Sequence, residues 1–430
     1  MKVAFIITRL TEFRLLGPVI DAALHAGWDV ECWHDYGRPK EGLKGYQFPD
    51  VQGAPVFRYG QPIHRVYSGG GELSARLERC AIDAVVSTGT VESDTDGAPP
   101  RKYPTWICVQ ALLDTFVNHT PETLERCDLV ALQTDWWTNW AASYYASADG
   151  APDVVELRAR LDRRVTHIGF PELDARRLVD RDGARRRWGI PPNQPVVVLL
   201  PFPQGVGQPS FWPRRIFGEA SRLRRMYHVA SAGEFHYWRR ALSDPSDTEV
   251  LRAVRAFCDR NGAFLLVKSR EKTPIPEYIR AMADRCIYDE SYYPPTILEA
   301  LSIAALCVSY YSASVLEAAS VSVPNVCLTF SAQDYLGIGA AQIRSFERFF
   351  NRDTEGVFEF SGVSTTVTND EAIGELPTRF LSDFSIDPVA RLAYVRKFIG
   401  KDDGHAAARL VDAIAIAIEA REARPNGVPA

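Results

Sequence analysis

Short, unbroken apolar runs separated by stretches of helical periodicity recur along this chain, and the series restarts near its middle. Val3 to Ile7, Val30 to Trp33, Ala84 to Ser87, Thr105 to Val109, Leu129 to Gln133 and Val165 to Ile168 form the first series. Runs of that length without polar alternation suit strands covered on both faces, as in a parallel sheet. Thr8 to Leu16 reads as a loop leading to Gly17-Pro18 and the helical stretch VIDAALHAG, ended by Gly27. After the break Gly189-Ile190-Pro191-Pro192, a second series runs through Pro195 to Leu200, Phe264 to Lys268, Ile287-Tyr288, Ala305 to Tyr310 and Asn325 to Thr329, with a helix around Glu249 to Arg260. Strands joined through helices imply right-handed crossovers and open parallel sheets.

Two doubly wound α/β domains facing across a cleft are therefore expected. A chain of 430 residues is also too long for one ordinary core. The expected division is an amino-terminal domain over 1–170, a second domain over 171–385, and a helix (Gly404 to Glu422) with its tail over 386–430. Ligands of such sheets bind beyond the carboxyl ends of the strands. That draws attention to Thr8 to Gly17, Thr88 to Gly97, Lys268 to Lys272 and Ser312 to Glu317.

The formal net charge of −5 argues against a general nucleic-acid binder, which needs Lys and Arg to neutralise phosphates. Basic residues crowd into RRLVDRDGARRR (176–187) and RRIFGEASRLRR (214–225). Both suit solvated helix faces; attraction to anionic lipid or an anionic acceptor is the alternative. The eight cysteines include no CxxC pair, and several sit in apolar runs as small hydrophobes, which suits a reducing cytoplasm. MKVAFIITRL is too short in apolar residues for a signal peptide, and no run approaches a membrane span. A cytoplasmic protein is expected, with peripheral contact at the inner face of the membrane as a further expectation. The Gly-, Pro- and aromatic-rich insertion PFPQGVGQPSFWPRRIF (201–217) reads as a loop at the cleft, either a lid or surface packing.

CVSYYSASVLEAASVSVPNVCL (307–328) is the densest stretch. Ser314 and Glu317 have capping-box spacing, so a purely structural cap accounts for them. A helix amino terminus with flanking hydroxyls also suits a phosphate, and a carboxylate can accept two ribose hydroxyls. On that second view Ser312, Ser314 and Glu317 hold a nucleotide diphosphate. VKSREK places Lys268 at the end of an apolar strand, where an unmatched charge is costly. Arg270 and Lys272 follow it, either as cations for a leaving diphosphate or as a basic surface turn. In YYPPTILEAL, the backbone of Thr296 or Ile297 is a candidate contact for a base and Tyr292 or Tyr293 for stacking, although aromatic residues beside prolines also simply pack.

FLLVKSREK, followed by YPPTILEALSIAALCVSYYSASVLEAASVSVPNVCL, resembles the donor half of a GT-B glycosyltransferase. The likeness is to surface-polysaccharide and CDP-glycerol glycerophosphotransferase-like branches and to UDP-GlcNAc 2-epimerases. The junction VTHIGFPELDARRLVDRDGARRRWGIPPNQPVVVLLPFP is similar to the interdomain linker of those families. The resemblance implies a GT-B fold of two Rossmann-like domains, an acceptor domain followed by a nucleotide-donor domain. It also implies Glu317 on the donor ribose, Ser312 and Ser314 on the diphosphate, and Lys268 nearby. A pair of glutamates eight positions apart, found in some retaining families, is missing: Ser309 and Cys307 stand at the matching positions.

An inverting, metal-independent transfer of a sugar or sugar-alcohol phosphate is thus expected. The donor would be a nucleotide-activated sugar, with no other cofactor, and the acceptor a carbohydrate or lipid-linked hydroxyl in surface polysaccharide or glycolipid synthesis. Such a reaction needs a base opposite the leaving group. Glu12, Asp114, His119 and the cluster Glu92-Ser93-Asp94-Thr95-Asp96 are the candidates, each with an ordinary surface or capping role as its alternative. The cluster lacks the spacing of a calcium loop. Gly17, without a side chain, would admit the donor. An epimerase and a non-catalytic nucleotide-sugar binder are the rivals. No GxGxxG follows the first strand, which argues against an NAD-dependent dehydrogenase.

Overall fold

A computed structural model describes residues 1–37, 48–100, 104–112, 114–147, 151–200, 247–268, 277–287, 291–310, 312–329 and 356–423. The insertion at 201–217, the basic run at 214–225, Arg270, Lys272 and Tyr288 lie outside the described residues.

The chain divides into two compact units. The first comprises residues 1–178, 291–296 and 395–430, the second residues 179–290 and 297–394. The carboxyl-terminal segment, expected to stand apart, is therefore part of the first unit.

In the first unit seven strands form one parallel sheet: β1 (Lys2–Ile7), β2 (Asp29–Asp35), β3 (Ile63–Tyr67), β4 (Ala84–Ser87), β5 (Thr105–Val109), β6 (Leu129–Leu132) and β7 (Val165–His167). Their order is β3-β2-β1-β4-β5-β6-β7. Val3 pairs with Val30 on one side and Ala84 on the other. β1, β4, β5 and β6 are buried almost throughout, which is why each is a continuous apolar run. β3 was not expected. IHRVY exposes most of its residues at the sheet edge and so carries no such run.

The helix after β1 also departs from expectation. It spans Phe13–His25, so Thr8 to Leu16 is not all loop and Pro18 lies within the helix. Proline removes one backbone donor there. Burial of Phe13, Leu15, Leu16, Val19, Ile20 and Ala23 on the sheet outweighs that loss.

Six parallel strands build the second unit: β8 (Val196–Leu200), β9 (Phe264–Lys268), β10 (Arg285–Ile287), β11 (Leu306–Tyr310), β12 (Asn325–Thr329) and β13 (Ser364–Thr368), in the order β10-β9-β8-β11-β12-β13. β13 was likewise not expected; STTVT is rich in hydroxyls and closes the sheet's edge. A chain of buried polar side chains fixes the register of three neighbouring strands. Ser309 Oγ donates to Asn325 Oδ1 (3.0 Å), and Asn325 Nδ2 donates to Ser364 Oγ (3.0 Å). No helix among the described residues is long and apolar enough to cross a membrane.

Candidate functional site

In each sheet the strand order reverses beside the first strand, between β1 and β4 in one unit and between β8 and β11 in the other. In doubly wound sheets such a reversal, beyond the carboxyl ends of the two strands, is the ordinary ligand position.

At the first reversal stand Thr8 to Glu12, leaving β1, and Thr88, leaving β4. Glu12 turns back onto its own loop: its carboxylate accepts from the backbone N–H of Thr8 (2.6 Å) and Arg9 (3.2 Å) and from the Thr8 hydroxyl (2.5 Å). It also accepts from the Thr88 hydroxyl (3.3 Å). The His119 imidazole lies near the Thr88 backbone, whose carbonyl favours its protonated form. Two of the candidate bases therefore stand beside Thr88, which opens the expected ligand loop Thr88 to Gly97 but is not itself among the candidate site residues. Its signal was its place, directly after the apolar run Ala84 to Ser87. Burial holds the His119 imidazole below its usual range, opposed by the Thr88 hydrogen bond and the charge of Glu92. Asp114 opens the helix Asp114–Asn118, and its side chain lies outside the described residues.

The acidic cluster is occupied structurally. Glu92 pairs with Arg126 (2.7 Å), Asp94 accepts from the Ser87 hydroxyl (2.5 Å), and Asp96 accepts from the Gly70 N–H (2.7 Å).

At the second reversal the residues that follow β11 are polar and buried. Ser312, Ser314 and Glu317 are 4%, 7% and 1% exposed. The expected Ser314–Glu317 capping box does not form. Ser314 is already the first residue of the helix Ser314–Ser320, and Ala313 precedes it without a side-chain cap. Ser312 takes the role instead: its Oγ accepts from the Ser314 N–H (3.3 Å) and donates to the Ser314 hydroxyl (3.1 Å). Arg391 closes the other end of this helix on the carbonyls of Ala319 (2.6 Å) and Ser320 (2.7 Å). Lys268 ends β9, 5% exposed, on the far side of β8 from β11. Hydroxyls and a carboxylate thus follow the end of β11, and a lysine ends β9, two strands away in the same sheet. Such a set can bind a phosphorylated, hydroxyl-bearing molecule.

Gly17, expected to admit the donor, packs against Tyr293: a Cβ there would lie 2.8 Å from the ring's Cγ. Tyr293 in turn stacks on Phe57 at 5.6 Å and donates its hydroxyl to Asp21 (2.8 Å), so in this structure its ring does not face a base. The backbone N–H of Thr296, a candidate base contact, donates to the Ser291 carbonyl (3.1 Å), while its hydroxyl accepts from the Ser291 N–H (2.7 Å). Gly17, Tyr293 and Thr296 belong to the first unit, and Ser312, Ser314 and Glu317 to the second.

No family model matches the sequence, and no curated protein matches it. Solved structures do. The wall teichoic acid polymerase TagF is 12% identical with a TM-score of 0.53, over 98% of this chain and 90% of that one. A putative UDP-N-acetylglucosamine 2-epimerase from Listeria monocytogenes is 13% identical with a TM-score of 0.51, over 97% of both chains. The S. aureus MnaA–UDP structure is 12% identical with a TM-score of 0.50, over the whole of both. What these proteins share with this chain is architecture: it has the GT-B fold, two Rossmann-like domains each built on a parallel sheet.

Proposed function

We propose that this protein is a nucleotide-sugar-dependent glycosyltransferase. It moves a sugar or sugar-alcohol phosphate from a nucleotide-activated donor to an acceptor hydroxyl in surface polysaccharide or glycolipid synthesis. The observation that supports this best is the buried polar group Ser312, Ser314 and Glu317 at the carboxyl end of β11, beside the reversal of strand order. Two hydroxyls and a carboxylate gathered after a central strand, beside the reversal of strand order, suit a nucleoside diphosphate, which would use all three. The serine hydroxyls donate to phosphate oxygens, Glu317 accepts from the ribose hydroxyls, and Lys268, with Arg270, offsets the charge of the departing diphosphate. In the first unit His119 is the better candidate base. Glu12 is committed to its own loop, whereas His119 is kept below its usual pKa and is neutral near pH 7, ready to take a proton. The acceptor oxygen, losing its proton to His119, bonds to the transferred carbon or phosphorus as the bond to the nucleotide breaks.

A thermal-shift screen against UDP, CDP, GDP and TDP tests the donor site. One nucleotide raises the melting temperature of the wild type, and the rise disappears in Glu317→Gln, which keeps the side chain's volume. No response to any nucleotide overturns the proposal. A UDP-GlcNAc 2-epimerase is the second possibility, since two of the similar structures are an epimerase by name and a UDP complex. Conversion of UDP-GlcNAc by the purified protein without an acceptor would establish that activity instead.

A further inference from the structure

The helix Ser314–Ser320, whose first turn carries the candidate nucleotide contacts, is buried along its whole length. Its last carbonyls, like those of any helix, have no partner within the helix. Arg391 supplies donors to two of them: Nε donates to the Ala319 carbonyl (2.6 Å) and Nη2 to the Ser320 carbonyl (2.7 Å). A planar guanidinium on two consecutive carbonyls fixes both the position and the rotation of a helix end. Arg391 itself lies near the start of the helix Pro388–Phe398, with its N–H on the Asp387 carbonyl (2.8 Å). That helix belongs to the second unit up to Tyr394, whose hydroxyl donates to the Val357 carbonyl (2.7 Å), and to the first unit from Val395.

In the first unit this second helix ends in the same way. The Thr134 hydroxyl donates to the Lys397 carbonyl (2.6 Å) and Trp137 Nε1 to the Phe398 carbonyl (2.9 Å), while the Trp136 ring meets the Phe398 ring edge-on at 4.7 Å. Thr134 holds the cap position of the helix Asp135–Ala146, where a threonine ordinarily bonds its own helix. Its side chain makes no such cap and serves a carbonyl 263 positions away. Towards its other end the helix Asp135–Ala146 carries Tyr145, whose hydroxyl donates to the His119 carbonyl (2.9 Å). Three helices are thus joined through their ends, from Ser314 to the candidate base.

We propose that Arg391 is a positioning residue that couples the helix Ser314–Ser320 to the helix Asp135–Ala146, and so to His119. Tyr394 and Phe398, both fully buried, pack the connecting helix on either side of the passage between units. Close-packed elements of this kind pass a displacement on rather than absorb it. A ligand that shifts or stiffens the helix at Ser314 therefore acts on Thr134 and Trp137, and a change at Thr134 acts back on the helix at Ser314, because coupling between two sites is reciprocal. That the ligand is a nucleotide rests on the transferase proposal. The coupling is readable in the free protein, so the two fail separately.

The test is hydrogen exchange read by mass spectrometry on the full chain, free and with UDP or CDP. In the free protein Arg391→Ala speeds exchange of the Val321 and Val323 amides, which bond back into the helix end that Arg391 grips. It also speeds amides 136–139, which it does not touch, by about fivefold or more. Thr134→Val, which removes the hydroxyl at nearly constant shape, speeds Val321 and Val323 in return. Amides of β1 and β8 stay unchanged in both variants, which separates coupling from general loosening. Nucleotide slows exchange at 314–317 and at 136–139 in the wild type, and at 314–317 alone in Arg391→Ala. Should the alanine variant not fold, Arg391→Lys, which keeps the charge but not the paired donors, replaces it. An arginine that merely caps one helix moves Val321 and Val323 only, and that result overturns the proposal, as does a Thr134→Val effect confined to the first unit. Variants that act at a distance in a protein indifferent to every nucleotide uphold the coupling and overturn the transferase reading.

Discussion

Four donors converge on Glu12, two of them backbone N–H groups of the loop that leaves β1. Removing the carboxylate leaves Thr8, itself buried, without acceptors, so Glu12→Ala loses roughly 1–3 kcal/mol of stability in urea unfolding. A loss of activity in that variant would report the loop. His119 carries the chemical test: His119→Gln lowers turnover about 10²–10⁴-fold while leaving the nucleotide thermal shift unchanged. A different imidazole contributes to the acid response of the fold. His34 donates through Nδ1 to the Pro49 carbonyl (2.8 Å), and its Nε2 meets His64 Nδ1 at 3.0 Å. Burial pushes its pKa down to about 4, with His64 adding to the shift and the Pro49 bond and Asp50 opposing it. Burial also lowers His64. The unfolded chain binds these protons first, so the contribution of His34 is complete above pH ~6.5 and drains away towards pH 4, on the order of 3 kcal/mol in all. Glu31 adds a lower window. Burial raises its pKa, but hydrogen bonds from Arg65, Lys2 and Trp33 outweigh that and hold it at about 2. Its contribution, present above pH ~4.5, is lost as the pH falls towards 2. Urea titrations from pH 7 to 4 read the first window, and His34→Gln flattens that slope; an unchanged slope would refute the assignment.

Helix Phe13–His25 shows how one missing side chain can shape packing between segments distant in sequence. At Gly17 an added methyl would meet the Tyr293 ring, so Gly17→Ala costs about 1–3 kcal/mol by overpacking. In a Tyr293→Ala background the same change costs close to nothing, and a double-mutant cycle of urea unfolding measures the difference. Additive losses would show that Tyr293 does not cover the helix. Nothing local in the sequence announces this contact, since Tyr293 and Asp21 are 272 positions apart. The sequence suggests that Gly17 admits close approach of a donor, and in this structure the group that packs there is the Tyr293 ring. Strands were legible in proportion to their burial. β1, β4, β5, β6, β8 and β11 are covered on both faces and read as apolar runs, whereas the edge strands β3 and β13 carry charge or hydroxyls and were missed. The Ser314–Glu317 spacing fitted a capping box, yet the Ser312 hydroxyl reaches the helix start first. That choice depends on how the chain leaves β11, which spacing alone does not encode.

The chain passes from one unit to the other four times, at 178–179, 290–291, 296–297 and 394–395. The last passage returns it to the first unit, where the closing segment becomes core. Phe398, Ile399, Leu410, Val411, Ile414 and Ile418 are buried there. Asp174 accepts from the N–H of Ala407 (2.7 Å), at the start of the helix Ala406–Glu422. Arg409 donates to the Ile168 carbonyl (2.8 Å), and Arg421 pairs with Asp128. Reading the sequence in order placed this segment in a separate region, because nothing local shows which sheet a terminal amphipathic helix will cover. At about 1.5–3 kcal/mol for each large apolar side chain, the six buried residues contribute roughly 9–18 kcal/mol. A whole domain is commonly stable by only ~5–15 kcal/mol. A chain ending at Tyr394 should therefore leave the first unit unable to hold its fold. The second unit, whose residues all precede that point, should keep its own. Hydrogen exchange read by mass spectrometry distinguishes the two: amides of β5 and β6 lose protection on truncation while those of β8 and β11 retain it. Protection retained in β5 and β6 would mean that the sheet is stable without the closing helix, and equal loss in β8 and β11 would mean that the units do not fold separately.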